Sequence, residues 1–237
     1  MSEEKPSTGK QKQIAISEFF EKNKHFLGFD SLQRAIITAV KESVDNSLDA
    51  CEEVRILPDI RIEVKRLGGN RVELIAQDNG PGIPRDSIEH VFGKFLLGSR
   101  FHAIRQTRGQ QGIGITGVVM YSQLTTGAKT RVVSKVEEDA TAVFVDLGID
   151  TRKNKAIKSG EARDTWIDNV TGEEVDHGLR IETVMNAKYQ RGRQSVYQYL
   201  RMTSIVNPHA TITLTVQDKD GGIIEEGHWK RTTDTLP

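Results

Sequence analysis

Apolar residues recur at helical spacing along one stretch in the first quarter of the chain. The stripe consists of Leu32, Ala35, Ile36, Ala39, Val40, Ser43 and Ser47. This period indicates an amphipathic helix. Asp30 or Ser31 can cap its first turn and Pro58 lies beyond its end, so the pattern predicts a helix from that cap to Glu53.

Alternating apolar and polar side chains predict a sheet. Residues 60–65 alternate strictly, residues 67–70 contain a Gly-Gly-Asn turn signal, and residues 71–76 form a second strand, which together indicate a hairpin. Further strands are predicted at 131–136, 141–147, 179–184, 210–216 and after Gly221-Gly222, and further helices at 85–97, 112–123 and 192–205. We expect an α/β fold, a two-layer sandwich of a mixed sheet with helices on one face.

Two segments lack the composition of a core. Residues 1–13 are polar and rich in Lys, Gln and Ser, which predicts a flexible N-terminal arm. We therefore divide the chain into an arm, residues 1–16, and a domain, residues 17–237. Residues 150–177 are charged and poor in apolar side chains, so we expect an exposed excursion there.

Composition narrows the class of protein. The chain has 237 residues, with 33 Lys and Arg against 33 Asp and Glu, so its formal net charge is zero. This balance argues against a protein that holds nucleic acid mainly through bulk positive charge. The single cysteine excludes an intrachain disulfide. Neither a secretory signal nor an apolar run of membrane-spanning length is present, so we expect a cytoplasmic protein without a membrane partner.

The first candidate for chemistry is a pair of polar residues on the long helix. Glu42 and Asn46 are four residues apart and therefore share one helical face beside the apolar stripe. A carboxylate suits a general base, and an amide oxygen suits a ligand of Mg²⁺, which takes few protein oxygens in nucleotide sites. Taken alone, such a pair is equally typical of a solvated helix face.

Two glycine-containing segments follow. Residues 78–82 read Asp-Asn-Gly-Pro-Gly directly after a predicted strand, where a carboxylate can accept a hydrogen bond from an amine such as that of adenine. Alone, this segment is also compatible with an ordinary Asx turn. Residues 108–117 place several glycines before a helix N-terminus, an arrangement suited to phosphate, although the segment matches neither the Walker nor the dinucleotide pattern.

The order of the three segments is more specific than any one of them. It resembles the N, G1 and G2 boxes of the GHKL ATPase family, which includes gyrase, heat-shock chaperones, histidine kinases and MutL. Further phrases, at residues 26–30, 40–50, 107–115, 123–127 and 206–210, are similar to the B subunits of archaeal type IIB topoisomerases (topoisomerase VI). The resemblance covers roughly residues 13–235 and implies a Bergerat-type ATP-binding fold.

The resemblance also implies roles for individual residues. Glu42 would be the catalytic base, Asn46 the ligand of Mg²⁺, and Asp78 the partner of the adenine amine, with Gly82 giving the base room. The segment that closes over the phosphates of ATP would comprise Gly109, Gln110, Gln111, Gly112, Ile113 and Gly114, with a contact from Ser99 near its start. Where relatives carry Gly-Thr, this chain has Gly178-Leu179, which removes one hydroxyl near the adenine.

The implied function is ATP-gated dimerisation that drives DNA duplex passage and supercoil relaxation. The implied partners are the A subunit of topoisomerase VI, a second B protomer and a DNA duplex. Residues 1–20 would then exchange between protomers, with Phe19 and Phe20 as anchors. The helix-two-turns-helix and transducer domains of such B subunits have no counterpart in these residues, so we expect slow hydrolysis by this ATPase domain.

Two other functions stay open from the sequence. A histidine-kinase catalytic domain shares the three boxes, but none of the six histidines lies in an evident phosphoacceptor helix. A non-catalytic interaction module could keep the fold without the chemistry. The presence of Glu42, Asn46, Asp78 and the glycines argues against such a module, because it does not need them.

Overall fold

The computed structural model describes residues 16–25, 27–93, 114–150 and 155–237. The α-helices in this part of the chain are α1 (Ile16–Asn23), α2 (Leu32–Glu53), α3 (Ile88–Gly93), α4 (Gly114–Thr126) and α5 (Val196–Val206). The strands are β1 (Asp59–Gly68), β2 (Arg71–Asp78), β3 (Thr130–Lys135), β4 (Ala142–Asp150), β5 (Lys155–Asp164), β6 (Gly178–Asn186), β7 (Thr211–Gln217) and β8 (Ile223–Trp229).

All eight of these strands form one mixed sheet. Their order is β5-β4-β3-β6-β2-β1-β7-β8. Neighbouring strands are antiparallel, except that β1 and β7 are parallel. The central position of β2, between β1 and β6, brings its carboxyl end next to the start of β6. The predicted α/β class and the hairpin of β1 and β2 are confirmed.

The helices cover one face of the sheet. Ile60, Ile62 and Val64 on β1 are fully buried, and they share a core with the apolar stripe of α2 and with residues of α4 and α5. The apolar side chains that alternate along the strands thus face the apolar stripe of the helix, which is the packing expected of a two-layer sandwich. Among the described helices, none is both long enough and apolar enough to span a bilayer.

The other face of the sheet is covered in part by two side chains of residues 165–176, Trp166 and Asp168. Most other residues of this segment are exposed, as the sequence predicted. Residues 155–164 pair along β4 as an edge strand, and the chain then folds back so that Trp166 is only 4% exposed. Asp168 accepts hydrogen bonds from Arg61 and Gln77 on that face. Burial opposes ionisation, but these donors and the N–H groups of Val170 and Thr171 lower the pKa of Asp168 to about 2. The ion pairing explains why a charged segment lies against the sheet.

The first described helix was not predicted. Phe20 on α1 is fully buried, with its ring centroid 5.6 Å from that of Phe29 and 6.3 Å from that of Tyr121. Phe20 therefore packs into the core of its own chain, which corrects its expected role as an anchor on a second protomer. The side chain of Phe19 lies outside the described residues.

Two helix boundaries differ from the prediction. The helix expected from residue 192 begins at Val196, because Ser195 caps it by accepting a hydrogen bond from the N–H of Gln198. Gly192 has a φ of +120°, which no helix accommodates. The helix expected at 85–97 is described as a 3₁₀ turn, Arg85–Ser87, followed by α3. Residues 94–97 lie outside the described part of the chain.

Candidate functional site

Asp78, the last residue of β2, is the buried carboxylate of the site. Its Oδ2 accepts a hydrogen bond of 2.6 Å from the hydroxyl of Ser47, and its Oδ1 accepts one of 2.9 Å from the N–H of Gly80. Burial raises the pKa of Asp78, while hydrogen bonds from Ser47 and the N–H groups of Gly80 and Leu179, together with the nearby His177, oppose that rise.

The bonding capacity of Asp78 leaves room for a ligand. A carboxylate offers about four lone-pair positions. Among the described residues Ser47 and Gly80 donate hydrogen bonds to Asp78, and the N–H of Leu179 favours its ionised form, so at least one position stays available for a further N–H or O–H group. An amine that enters this site would complete the hydrogen bonding of a carboxylate that burial otherwise penalises. The Asp78 end of the site therefore suits an adenine amine.

The loop after Asp78 is held in place from two sides. The side chain of Asn79 accepts a hydrogen bond from the N–H of Asp59 at 2.7 Å and donates one to the carbonyl of Leu57 at 3.1 Å. Nδ1 of His177 lies 2.8 Å from the carbonyl oxygen of Gly80. Because a carbonyl only accepts, Nδ1 carries the proton. These contacts fix the loop relative to the connection between α2 and β1 and to the start of β6.

Gly82 lies where no side chain fits. Its φ is +70°, and a Cβ there would lie 2.2 Å from the carbonyl oxygen of Lys135 and 3.1 Å from that of Gly178. The next residue, Ile83, donates its N–H to the hydroxyl of Ser134 at 2.7 Å. The loop backbone is therefore pressed against the ends of β3 and β6, and only a residue without a side chain allows this contact.

Glu42 is the second carboxylate of the site. Burial raises its pKa, the ammonium of Lys41 opposes this rise, and the carboxylate of Asp45 adds to it. A Cβ on Gly114, the first residue of α4, would lie 1.9 Å from Oε2 of Glu42. The N-terminus of α4 thus contacts the carboxylate directly, and a side chain at position 114 would displace the Glu42 carboxylate from this position. Glu42 and Ser47 belong to the same helix, so α2 contributes to both ends of the site.

The structure places five of the predicted site residues. Glu42, Asp78, Gly82 and Gly114 have the contacts given above, and Asn46 is exposed on α2, one turn after Glu42. The remaining predicted residues lie outside the described ranges: Ser99, Gly109, Gln110, Gln111, Gly112 and Ile113. Within residues 16–25, 27–93, 114–150 and 155–237, no group of three or more His, Cys, Asp or Glu side chains could hold a metal ion.

Two side chains of the site, Ser47 and His177, were missed in the sequence, and Leu179 was expected near the adenine only as the loss of a hydroxyl. Ser47 was counted only as a small member of the apolar stripe, although a hydroxyl that faces the core needs a hydrogen-bond partner. His177 and the N–H of Leu179 reach the site through the pairing of β6 with β2, in which Leu179 lies opposite Asp78. A lone histidine before a strand gave no signal of that pairing.

Comparison with known proteins agrees with this geometry. Residues 31–150 match the family model described as histidine kinase-, DNA gyrase B- and HSP90-like ATPase. Two curated relatives are named as the B subunit of type 2 DNA topoisomerase 6. The relative from Methanosarcina mazei is 51% identical over 229 residues, which are 96% of this chain and 35% of the relative. The relative from Archaeoglobus fulgidus is 49% identical over 97% of this chain and 36% of its own length.

Among solved structures, the ATP-binding domain of topoisomerase IV from Francisella tularensis, in complex with a small-molecule inhibitor, has a similar fold. The TM-score is 0.55 at 16% identity, covering 90% of this chain and 93% of that one. The likeness confirms the predicted fold. The chain spans about a third of the length of the curated relatives it matches.

Proposed function

The chain belongs to the histidine kinase-, DNA gyrase B- and HSP90-like ATPase family, and from this premise we propose that it binds ATP and hydrolyses it within a type IIB DNA topoisomerase. The observation that carries the proposal is the placement of two carboxylates by one helix. Ser47 of α2 is bonded to Asp78, while Glu42, on the same helix, contacts the first residue of α4.

Asp78 would hold the adenine amine of ATP. The remaining acceptor position on this buried carboxylate supports the assignment. Gly82 holds the loop that follows Asp78 against the end of β3. The segment before α4, residues 109–114, is proposed to enclose the phosphates, because a helix N-terminus presents free N–H groups and a positive partial charge.

Glu42 would orient and deprotonate the attacking water, and Asn46 would hold Mg²⁺. When bound, Mg²⁺ neutralises charge on the phosphates and helps to position them. The exposed amide of Asn46 fits a metal that keeps several water ligands and takes few protein oxygens. The side chain of Glu42 is 20% exposed, which leaves space for a water molecule beside the carboxylate.

The proposal extends to the assembled enzyme. The names of the relatives support the assignment of this chain to the B subunit, with the A subunit of topoisomerase VI and a DNA duplex as partners. We propose that ATP binding joins two B protomers and closes a gate around DNA. Residues 1–16 remain the proposed exchange arm and residues 17–237 the proposed ATPase domain.

A titration of Mg²⁺ with a non-hydrolysable ATP analogue tests the proposal. We expect calorimetry to show analogue binding by the wild type that strengthens with Mg²⁺, and Asn46→Ala to lose the dependence on Mg²⁺ while it stays folded. No binding by a folded wild-type chain would favour the interaction module instead. A dimer that forms equally with and without the analogue would contradict the ATP gate.

A further inference from the structure

A lysine stands beside the proposed catalytic base without bonding to it. Nζ of Lys41 lies 2.7 Å from Oδ2 of Asp45 but 3.8 Å from Oε1 of Glu42. The first distance is that of a charge-assisted hydrogen bond, and the second is too long for one. The ammonium is therefore bonded to the carboxylate one turn further along α2.

Asp45 is itself fixed from a second helix. Its side chain is only 12% exposed, and its other oxygen, Oδ1, accepts a hydrogen bond of 3.3 Å from the hydroxyl of Tyr199 on α5. Burial and the adjacent Asp45 raise the pKa of Tyr199, so the phenol keeps its proton and remains a donor. Tyr199, Asp45 and Lys41 thus form a chain of hydrogen bonds that ends beside Glu42.

We propose that Asp45 and Tyr199 are positioning residues that hold the ammonium of Lys41 off Glu42, so that the Glu42 carboxylate stays available to the attacking water. The inference rests on the proposed function, because it assigns Glu42 the role of base. It concerns where Lys41 is bonded, and neither Asp45 nor Tyr199 is required to contact the nucleotide.

Competition between two carboxylates is the physical reason. Lys41 has a flexible stem and three donors, and both Asp45 and Glu42 lie within its reach. If Asp45 lost its charge, the nearest remaining carboxylate would be Glu42. A carboxylate that accepts a hydrogen bond from an ammonium has less lone-pair density for a water proton. At its present distance the cation still favours the ionised form of Glu42 against the effect of burial.

A double-mutant cycle of Asp45 with Lys41 separates this role from a merely structural one. We expect Asp45→Asn to lower the single-turnover rate of ATP hydrolysis by about tenfold or more, within the range that general bases contribute. Its affinity for a non-hydrolysable ATP analogue with Mg²⁺ should stay that of wild type. When Lys41→Met is added, the double variant should hydrolyse ATP at the rate of Lys41→Met alone. A tenfold loss in both backgrounds would overturn the proposal.

Tyr199 provides a milder test with a matched control on the same helix. Tyr199→Phe removes one donor to Asp45, and we expect the rate to fall by about threefold with unchanged analogue affinity. Tyr197→Phe also removes a phenol from α5, but the ring of Tyr197 packs edge-on against Trp229 rather than against α2. Equal rates for the two variants would contradict a role for the Tyr199 hydroxyl.

The position of Lys41 can be measured without hydrolysis. In a crystal structure of Asp45→Asn we expect Nζ of Lys41 within hydrogen-bond distance of Glu42, whereas an ammonium that stays clear of Glu42 would overturn the proposal. If wild type bound no ATP analogue, the proposed function would fail. This structural result would still decide whether Asp45 keeps the lysine off Glu42.

Discussion

The two carboxylates of the candidate site lie in different environments. Asp78 is only 7% exposed and accepts hydrogen bonds from Ser47 and Gly80. The side chain of Glu42 is 20% exposed, and no hydrogen bond to it is found within the described residues. A carboxylate enclosed by fixed donors suits recognition of a ligand group. A carboxylate with free lone pairs suits proton transfer.

Helix α2 supports both carboxylates in their different roles. Ser47 of α2 orients Asp78, and one and a half turns earlier Glu42 accepts no such hydrogen bond from the part of the chain that the structure describes. Binding and hydrolysis should therefore separate cleanly when either carboxylate is changed.

Glu42→Gln should have the largest effect, and only on hydrolysis. The amide keeps the shape of the side chain but cannot accept the water proton, so the single-turnover rate should fall by about 10²–10⁴-fold. Affinity for the ATP analogue should change less than about twofold. A parallel loss of affinity would show that Glu42 serves binding as well, which would remove the contrast with Asp78.

Asp78→Ala should show the opposite pattern. It removes the acceptor of the adenine amine and leaves the donors of Ser47 and Gly80 without their partner, so the analogue should bind about 100-fold more weakly. Calorimetry measures the affinity, and a cooperative thermal transition confirms that the variant is folded. Full affinity in a folded variant would exclude Asp78 from recognition of the base.

Gly82→Ala should weaken both folding and binding. Its positive φ costs an alanine about 1–2 kcal/mol in free energy of unfolding. The contact of the new Cβ with the carbonyl of Lys135, at 2.2 Å, should add about 1–3 kcal/mol.

Gly172→Ala is the matched control for Gly82→Ala. Gly172 has a similar φ of +73° but no neighbouring atom within 4 Å of a Cβ. The difference between the two variants in free energy of unfolding, measured by chemical denaturation, gives the cost of the contact alone. Equal losses of stability would mean that the loop is not pressed against β3.

Ser47→Ala tests the bond that links α2 to Asp78. Loss of a hydrogen bond to a carboxylate costs about 1.5–3 kcal/mol, so we expect roughly tenfold weaker binding of the analogue or more. Ser43→Ala is the control, because Ser43 donates to the carbonyl of Ala39 within the same helix. If both variants bound alike, the orientation of Asp78 would not depend on Ser47.

The pH dependence of hydrolysis should give the smallest effect. Burial raises the pKa of Glu42 above its ordinary value of 4.5, and a base acts only when it is deprotonated. The single-turnover rate should therefore begin to fall at a pH above 4.5 as the solution is made more acidic. A rate that stayed constant down to that pH would contradict the effect of burial on Glu42.

Most of the helices and strands were predicted from patterns within short continuous segments. The stripe of α2 and the alternation of β1 and β2 predicted their elements because each pattern lies within one continuous segment. The parallel pairing of β1 with β7 was not predicted, since it joins segments far apart in the chain. The burial of Asp168 within the otherwise exposed residues 165–176 was missed for a related reason. Asp168 is buried by partners on β1 and β2 that the segment itself does not contain.

In the candidate site, too, the residues identified from local spacing differ from the partners that distant elements supply. Glu42, Asn46, Asp78 and the glycines were identified from their order along the chain, which local spacing preserves. The partners that set their environments, Ser47, Tyr199 and His177, come from facing elements and left no signal in the spacing. Their contacts depend on the packing of α5 against α2 and the pairing of β6 with β2.

A comparison of two nucleotides tests whether Asp78 recognises the amine of adenine. We would titrate wild type and Asp78→Ala with a non-hydrolysable ATP analogue and with its purine counterpart, which lacks the exocyclic amine. Wild type should prefer the adenine compound by about 100-fold, because a site built to bond an amine rejects a ligand without one, and Asp78→Ala should bind both compounds equally. The same preference in both proteins would contradict recognition of the amine by Asp78.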